Sequence, residues 1–429
     1  MESELVSIRP FEICSTRPPT ENYSLSFRLT RNCYWNKCAF CPVYKAGARY
    51  SKRSIDEVKA DIRRARLIDD LMFDHGIGNF QYTDADYARV DEIVDTIERA
   101  RREAGIVDDV PDDAGPVDLD PSFAWFLPWF KDTPNLADSF NHVLSWRIGG
   151  ARTCFLGDAD SLILSPAFLH EAIHEIKMNF PTIERFTVYG RTGSAARLRT
   201  AKDLREYHDA GLDRVHFGLE SGSDAVLQVM NKGVTRDDHI EGALKTKEAG
   251  LSCSVYVMPG LGGVRYSDEH AHETAEVLTM IAPDYIRLRT LQIFPQTPLQ
   301  QAHKSGEFIE ADEEQVIREI RILVEKIDAD TELLSDSASN LLNIQGSLPT
   351  DRALMLAEID RYLNLSRREK LLYSARARLQ SFVGQYGGLS REIYDALSGY
   401  IREGRVNLAS AHDSELDEII TLVRSRLMP

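Results

Sequence analysis

Three cysteines fall within nine residues, in the segment Thr30-Arg-Asn-Cys33-Tyr-Trp-Asn-Lys-Cys38-Ala-Phe-Cys41. Their spacing is C-x4-C-x2-C. It follows directly on Ser24–Thr30 (SLSFRLT), an alternating segment that reads as a strand. Thiolates hold iron–sulfur clusters, and a four-iron cubane with three protein ligands keeps one iron open. An open coordination position is what a catalytic metal centre needs. The residues alone leave other readings. Structural zinc would want a fourth ligand, and the nearest histidine, His75, lies far along the chain. A plain electron-transfer cluster and unligated thiols complete the set. The remaining cysteines, Cys14, Cys154 and Cys253, are isolated, which argues against a second cluster.

The elements that must carry this loop repeat along the chain. After the cysteines, Ser54-Ile-Asp-Glu57 is a capping box, followed by Ile55, Val58, Ile62 and Ala65 on one helical face. Further strands are expected at Thr153–Gly157, Arg185–Gly190, Arg214–Glu220, Ser252–Met258 and Asp284–Phe294. Helices lie between them: one with Phe168, Leu169, Ala172 and Ile176 inward, one ending at Gly211, one ending at Gly250, and one opening at Ser267. The strand starts at 153, 185, 214, 252 and 284 stand 32, 29, 38 and 32 residues apart, the length of βα units. Such units make a parallel sheet with its active site at the carboxyl ends of the strands.

The expected fold is therefore α/β, a partial (β/α)6 TIM-like barrel with an insert after the first helix and a helical C-terminal domain. Residues 1–23 form an N-terminal arm, 24–305 the barrel, with the insert at 74–148, and 306–429 the helical domain. The insert holds an expected helix, Ala88–Arg102, and an aromatic run, Phe123–Phe130, which reads as buried packing or as a lid that shields a reactive species. In the tail, Ser335–Asn340 reads as a helix cap or as part of the site floor.

Composition narrows the function. The chain has 429 residues with 43% hydrophobic and 28% charged side chains, ordinary for a folded protein. Lys and Arg number 51 against 67 Asp and Glu, a net charge of −16 that argues against nucleic acid or an anionic membrane as main partner. The N-terminal MESELVSIRPFEIC does not read as a signal peptide, and no stretch reaches the ~18 apolar residues that span a bilayer. A cytoplasmic location is expected.

The cysteine segment resembles the radical S-adenosylmethionine (SAM) superfamily, and the resemblance extends from about residue 24 to 300. That superfamily's commonest spacing is C-x3-C-x2-C with an aromatic residue before the last cysteine, here Phe40. The extra residue between the first two cysteines is similar to a subgroup with Cys-x-Trp-Asn-x-Cys-x-Phe-Cys. The resemblance implies a [4Fe–4S] cluster on Cys33, Cys38 and Cys41, whose open iron chelates the amino and carboxylate groups of SAM. It implies reductive cleavage to methionine and a 5′-deoxyadenosyl radical that acts on a small-molecule substrate. An electron donor such as flavodoxin or ferredoxin is implied as well.

Strand ends supply the site residues that the resemblance implies. Gly157 and Asp158 occupy the place of the Gly-Gly-Glu-type turn that meets the SAM ammonium, although those letters are missing. Glu220, followed by Ser221, stands where an acid bonds the ribose hydroxyls, and a carboxylate suits a diol. Lys232, with Arg191 as rival, stands where related proteins approach the SAM carboxylate. Met258 and Gly260 lie in the turn that runs along the adenine. Taken singly, Gly157, Gly222 and Gly260 read as ordinary βα-turn glycines, Glu220 as a helix N-terminal charge and Lys232 as a surface lysine.

The second and fourth strands are distantly similar to oxygen-independent coproporphyrinogen III oxidase, whose second-SAM residues have no match here. The short N-terminal arm leaves no room for a cobalamin domain, and no acetyltransferase half of the Elongator type is expected. The alternative function is a non-catalytic iron–sulfur or zinc module that binds a protein partner through the helical tail.

Overall fold

The computed structural model describes residues 5–14, 16–43, 49–78, 83–106, 134–402 and 405–427. The aromatic run Phe123–Phe130 lies outside them. Eight strands form one sheet: β1 (Leu25–Arg28), β2 (Thr153–Gly157), β3 (Arg185–Gly190), β4 (Arg214–Glu220), β5 (Ser252–Val257), β6 (Tyr285–Leu288), β7 (Thr331–Leu334) and β8 (Gly346–Leu348). Their order in the sheet is their order in the chain. The pairings β1–β2, β2–β3, β3–β4, β5–β6 and β6–β7 are parallel, and β7–β8 is antiparallel. This is the βα repeat expected of a partial barrel, with all six expected strands in place.

The chain divides into two compact units. One holds residues 1–36, 43–217 and 241–253; the other holds 37–42, 218–240 and 254–429.

In the first unit one set of strand side chains is wholly apolar. Leu25, Phe27, Leu156, Phe186, Val188 and Phe217 are fully buried. The alternate set is mixed: Tyr189 stands edge-on to Phe155 at 5.1 Å and to His216 at 6.2 Å. Helix Ile55–Asp74 begins with the expected capping box, in which the Glu57 N–H donates to Ser54 Oγ and the Ser54 N–H to Glu57 Oε2. It buries Val58, Ile62 and Ala65. In helix Pro166–Asn179 Leu169, Ala172 and Ile176 are buried, but Phe168 is only half-buried and Ile173 takes the fourth inward position. Helix Ala201–Ala210 stops at Gly211, whose φ of 105° needs no Cβ. Within 74–148, Asp84–Glu103 and Leu136–Ile148 are helices, and the second buries Phe140, Val143, Leu144 and Trp146 in the core.

Three expectations change in the second unit. The segment 306–429 is not all helix: Thr331–Leu334 and Gly346–Leu348 extend the sheet, with Glu332 in register with Tyr285. Ser335–Asn340 caps no helix; it is the loop that leaves β7. The helix expected to open at Ser267 does so: within Gly263–Ile281 a kink at Tyr266 (φ −115°, ψ 16°) separates a short first turn from the long helix that follows. The sixth strand ends at Leu288. Beyond it the Arg289 and Leu291 N–H groups donate to the Val257 and Pro259 carbonyls, which keeps the chain extended. Helices Arg367–Tyr386, Arg391–Leu397 and Asp413–Arg424 share a core of Leu379, Phe382, Ile393, Leu397, Leu416 and Val423.

Candidate active site

The loop that carries Cys33 is closed at its base by two short strands, Thr30–Arg31 and Ser51–Lys52, which pair antiparallel. Ion pairs clamp that base, the Arg53–Asp61 pair fully buried. Arg31 Nη2 reaches Glu12 Oε1 at 2.5 Å and Glu57 Oε1 at 2.9 Å, and Arg53 Nη2 reaches Asp61 Oδ2 at 2.7 Å. Asn32 turns the chain at φ 64°, a conformation that asparagine tolerates, and its Oδ1 accepts the Cys33 N–H at 2.6 Å. Cys33 is half-buried.

Two other strand ends of the first unit carry candidate residues. After β3, the Arg191 guanidinium stacks over Trp35 (5.3 Å) and Tyr34 (5.7 Å) of the cysteine loop. Tyr34 Oη lies 3.2 Å from Ser194 Oγ. Asp160, fully buried, accepts from the Arg191 N–H (3.1 Å), the Leu162 N–H (3.2 Å) and Ser194 Oγ (2.6 Å). Burial pushes its carboxyl up to about 6 against those hydrogen bonds. After β2, Asp158 Oδ2 pairs with Arg28 Nη2 at 3.1 Å, both side chains 7% exposed. Gly157 is obligatory, since a Cβ there would run into Cys14 Sγ.

In the second unit, residues 37–42 hang between two backbone contacts. The Ala39 N–H donates to the Met230 carbonyl (2.8 Å), and the Ala39 carbonyl accepts the Leu299 N–H (3.0 Å). Cys38 is buried and Cys41 half-buried. Lys232 Nζ lies 5.7 Å from the centre of the Phe40 ring and 3.0 Å from Glu220 Oε1, with both charged side chains nearly buried. Glu220 sits at φ 68°, a strained conformation for a residue other than glycine and common at functional sites. Gly218 makes room for the pair: a Cβ there would stand 2.5 Å from Glu220 Oε1 and 2.9 Å from Lys232 Nζ. Lys232 is therefore no solvated surface lysine.

Behind the Glu220 strand end lies a buried polar chain that the sequence reading missed. Ser221 Oγ is 2.8 Å from His270 Nδ1, and His270 Nε2 is 3.1 Å from the Met258 carbonyl. A carbonyl only accepts, so Nε2 carries the proton and Ser221 donates to Nδ1. Burial holds this imidazole neutral, down to about 4. The Met258 N–H donates to the Glu220 carbonyl at 2.9 Å. Gly260, at φ 87°, donates its N–H to Glu319 Oε2 (2.6 Å), and Ser267 Oγ donates to Oε1 (2.5 Å). Burial pushes the Glu319 carboxyl up to about 7. Glu319 comes from helix Glu313–Lys326, where it interrupts a buried stripe of Val316, Ile320 and Leu323. A carboxylate on an apolar stripe is the signal that could have found it.

None of the three candidate cysteines is in a disulfide, and soft thiolates suit an iron–sulfur cluster or zinc. Among the described residues no three His, Cys, Asp or Glu side chains form a ready-made metal-binding group. The three cysteines are candidate ligands by donor type, spacing and access. Among the described residues no helix is long and apolar enough to cross a membrane.

Residues 124–278 match the family model described as the radical SAM superfamily. The match ends within helix Gly263–Ile281 and does not reach back to the cysteines. Over 120 residues the chain is 26% identical to a tRNA uridine(34) acetyltransferase of Methanocaldococcus infernus, which covers 28% of this chain and 22% of that protein. Over 115 residues it is 26% identical to an uncharacterized protein of Methanocaldococcus jannaschii, covering 27% and 35%. The chain thus spans about a fifth to a third of the length of these curated relatives. The solved structure of a methylornithine synthase aligns over 83% of both chains with 9% identity and a TM-score of 0.39. The likeness to the radical SAM superfamily thus lies in residues 124–278.

Proposed function

We propose that the protein is a radical SAM enzyme in which Cys33, Cys38 and Cys41 hold one [4Fe–4S] cluster. It cleaves SAM reductively and acts on a small organic substrate, with electrons from a small donor protein such as flavodoxin or ferredoxin. The observation that carries this reading is the C-x4-C-x2-C loop: three cysteines outside any disulfide, on a loop with a clamped base directly after the first parallel strand. When bound, the cluster supplies one electron and an open iron position for SAM.

The chain's own residues do the rest of the work by position and charge. Glu220 keeps one carboxylate oxygen on Lys232 and offers the other to a ribose hydroxyl. Ser221 and His270 fix the strand end from which Glu220 projects, and His270, neutral throughout the physiological range, adds no competing charge. Glu319 holds the Gly260 turn along which adenine would lie. Arg191 and Lys232 are the cations available to the SAM carboxylate, and Asp158, already beside Arg28, is the carboxylate available to its ammonium.

Anaerobically reconstituted protein should bind about four irons per chain and, with dithionite and SAM, release 5′-deoxyadenosine. Alanine in place of Cys33, Cys38 or Cys41 should abolish both. Alanine in place of the buried Cys14, Cys154 or Cys253 should abolish neither. Zinc without iron uptake, or a cluster that binds no SAM, would overturn the proposal and favour the partner-binding module.

A further inference from the structure

In the second unit the strand ends carry a row of polar side chains that the SAM residues do not account for. Along β5, Val255 and Val257 are fully buried on one face, and Ser254 and Tyr256 alternate onto the other. The β5–β6 register sets Ser254 beside Tyr285 and Tyr256 beside Arg287. The β6–β7 register sets Arg287 beside Leu334, with Asp336 two residues further along the chain on the same alternation. Arg289 follows Arg287 by two residues and so falls on this face too.

The charges on this face do not cancel. Glu220 is matched by Lys232 at 3.0 Å. Arg287, 1% exposed, is matched by Asp336 at 2.6 Å. Arg289 makes no ion pair among the described residues, and its Nε is buried with no hydrogen-bond partner. Ser254 Oγ is likewise buried and unpartnered. Arg289 as a whole is half-buried, and a cation with no partner in the chain can take one from a bound ligand. The Tyr256 phenol lies within electrostatic reach of Arg287, Asp336, Arg289 and Glu220, and burial keeps it protonated far above neutral pH, so it is a donor. Asp336 is 28% exposed, so the face opens to solvent.

We propose that Arg289 anchors a carboxylate of the substrate, with the Tyr256 hydroxyl as a second donor, and that the substrate class is small organic acids. The anchor deepens the proposed function and rests on it for its use. One unmatched guanidinium balances one negative charge, and its planar fork fits the two oxygens of a carboxylate. A phosphate, nearly doubly charged at neutral pH, would leave charge unbalanced.

The test uses the full-length, anaerobically reconstituted protein at saturating SAM, with binding read by saturation-transfer NMR. Propionate is the probe; propionamide and inorganic phosphate are the comparators. Propionate should bind saturably and more tightly than either comparator. Arg289→Gln should weaken propionate about 10- to 100-fold, and Arg289→Lys by less, because the charge remains while the fork is lost. Iron content and SAM affinity of the variants report that fold and cofactor site persist. Equal propionate affinity in wild type and Arg289→Gln would overturn the proposal. So would propionamide or phosphate binding as tightly as propionate, or propionate binding only when SAM is left out, which would assign Arg289 to the SAM carboxylate. A wild-type protein that takes up no iron would count against the proposed function alone, because propionate binding is read without turnover.

Discussion

Replacing Glu319 by glutamine should reverse part of the protein's pH dependence. The carboxyl is 1% exposed and accepts from Ser267 Oγ and the Gly260 N–H, yet burial outweighs both and pushes it from 4.5 to about 7. His270, with Nε2 at 3.9 Å, faces it but stays neutral above about 4, and Asp268 adds a small push in the same upward direction. A tenfold change in proton affinity is worth about 1.4 kcal/mol, so the raised carboxyl corresponds to about 3 kcal/mol. The folded state holds the proton more tightly than the unfolded state. The contribution is therefore fully present below pH 4.5 and is lost as pH rises to about 7. Glutamine is neutral throughout and lacks this slope. Urea unfolding of wild type and Glu319→Gln at half-unit steps from pH 4.5 to 8 gives the difference free of other titrating groups. Wild type should lose about 3 kcal/mol relative to the variant between the two ends. A difference that stays flat across that range would refute the assignment of a buried, proton-bearing Glu319.

Gly218→Ala should force Glu220 and Lys232 apart. Its Cβ would sit 2.5 and 2.9 Å from their charged atoms, and SAM affinity measured by equilibrium dialysis should fall about tenfold while iron content is retained. Asn340→Ala should lower the urea-unfolding free energy by about 2–4 kcal/mol. The buried Asn340 Oδ1 accepts from the Thr290 N–H and hydroxyl, its Nδ2 donates to the Leu288 carbonyl, and all three groups would lose their partner.

Some readings of the chain needed only neighbours along it. The six strand starts, the Ser54–Glu57 capping box and the glycine stops at Gly211 and Gly250 are local signals, and each reappears in place. The β7 strand was not legible. Thr331-Glu-Leu-Leu334 is four residues with no clear alternation, and it is a strand only because β6 lends it a partner. The same cause turns Ser335–Asn340 from an apparent helix cap into a tie: Asn340 bonds backbone of the segment after β6, 50 residues back in the chain.

The cysteine spacing, the strand-end positions of Glu220 and Gly260, and the radical SAM resemblance were legible from residue type and interval, because thiol donors and βα turns obey short-range rules. Tertiary structure alone decided that Lys232 is a buried partner of Glu220, that Asp158 faces Arg28, and that Glu319 and His270 support the turns from behind. It alone left Arg289 without a counter-ion among the described residues. The physical reason is that charge pairing and burial depend on which segments meet in space, and a sequence read along its length records only which residues are adjacent in the chain.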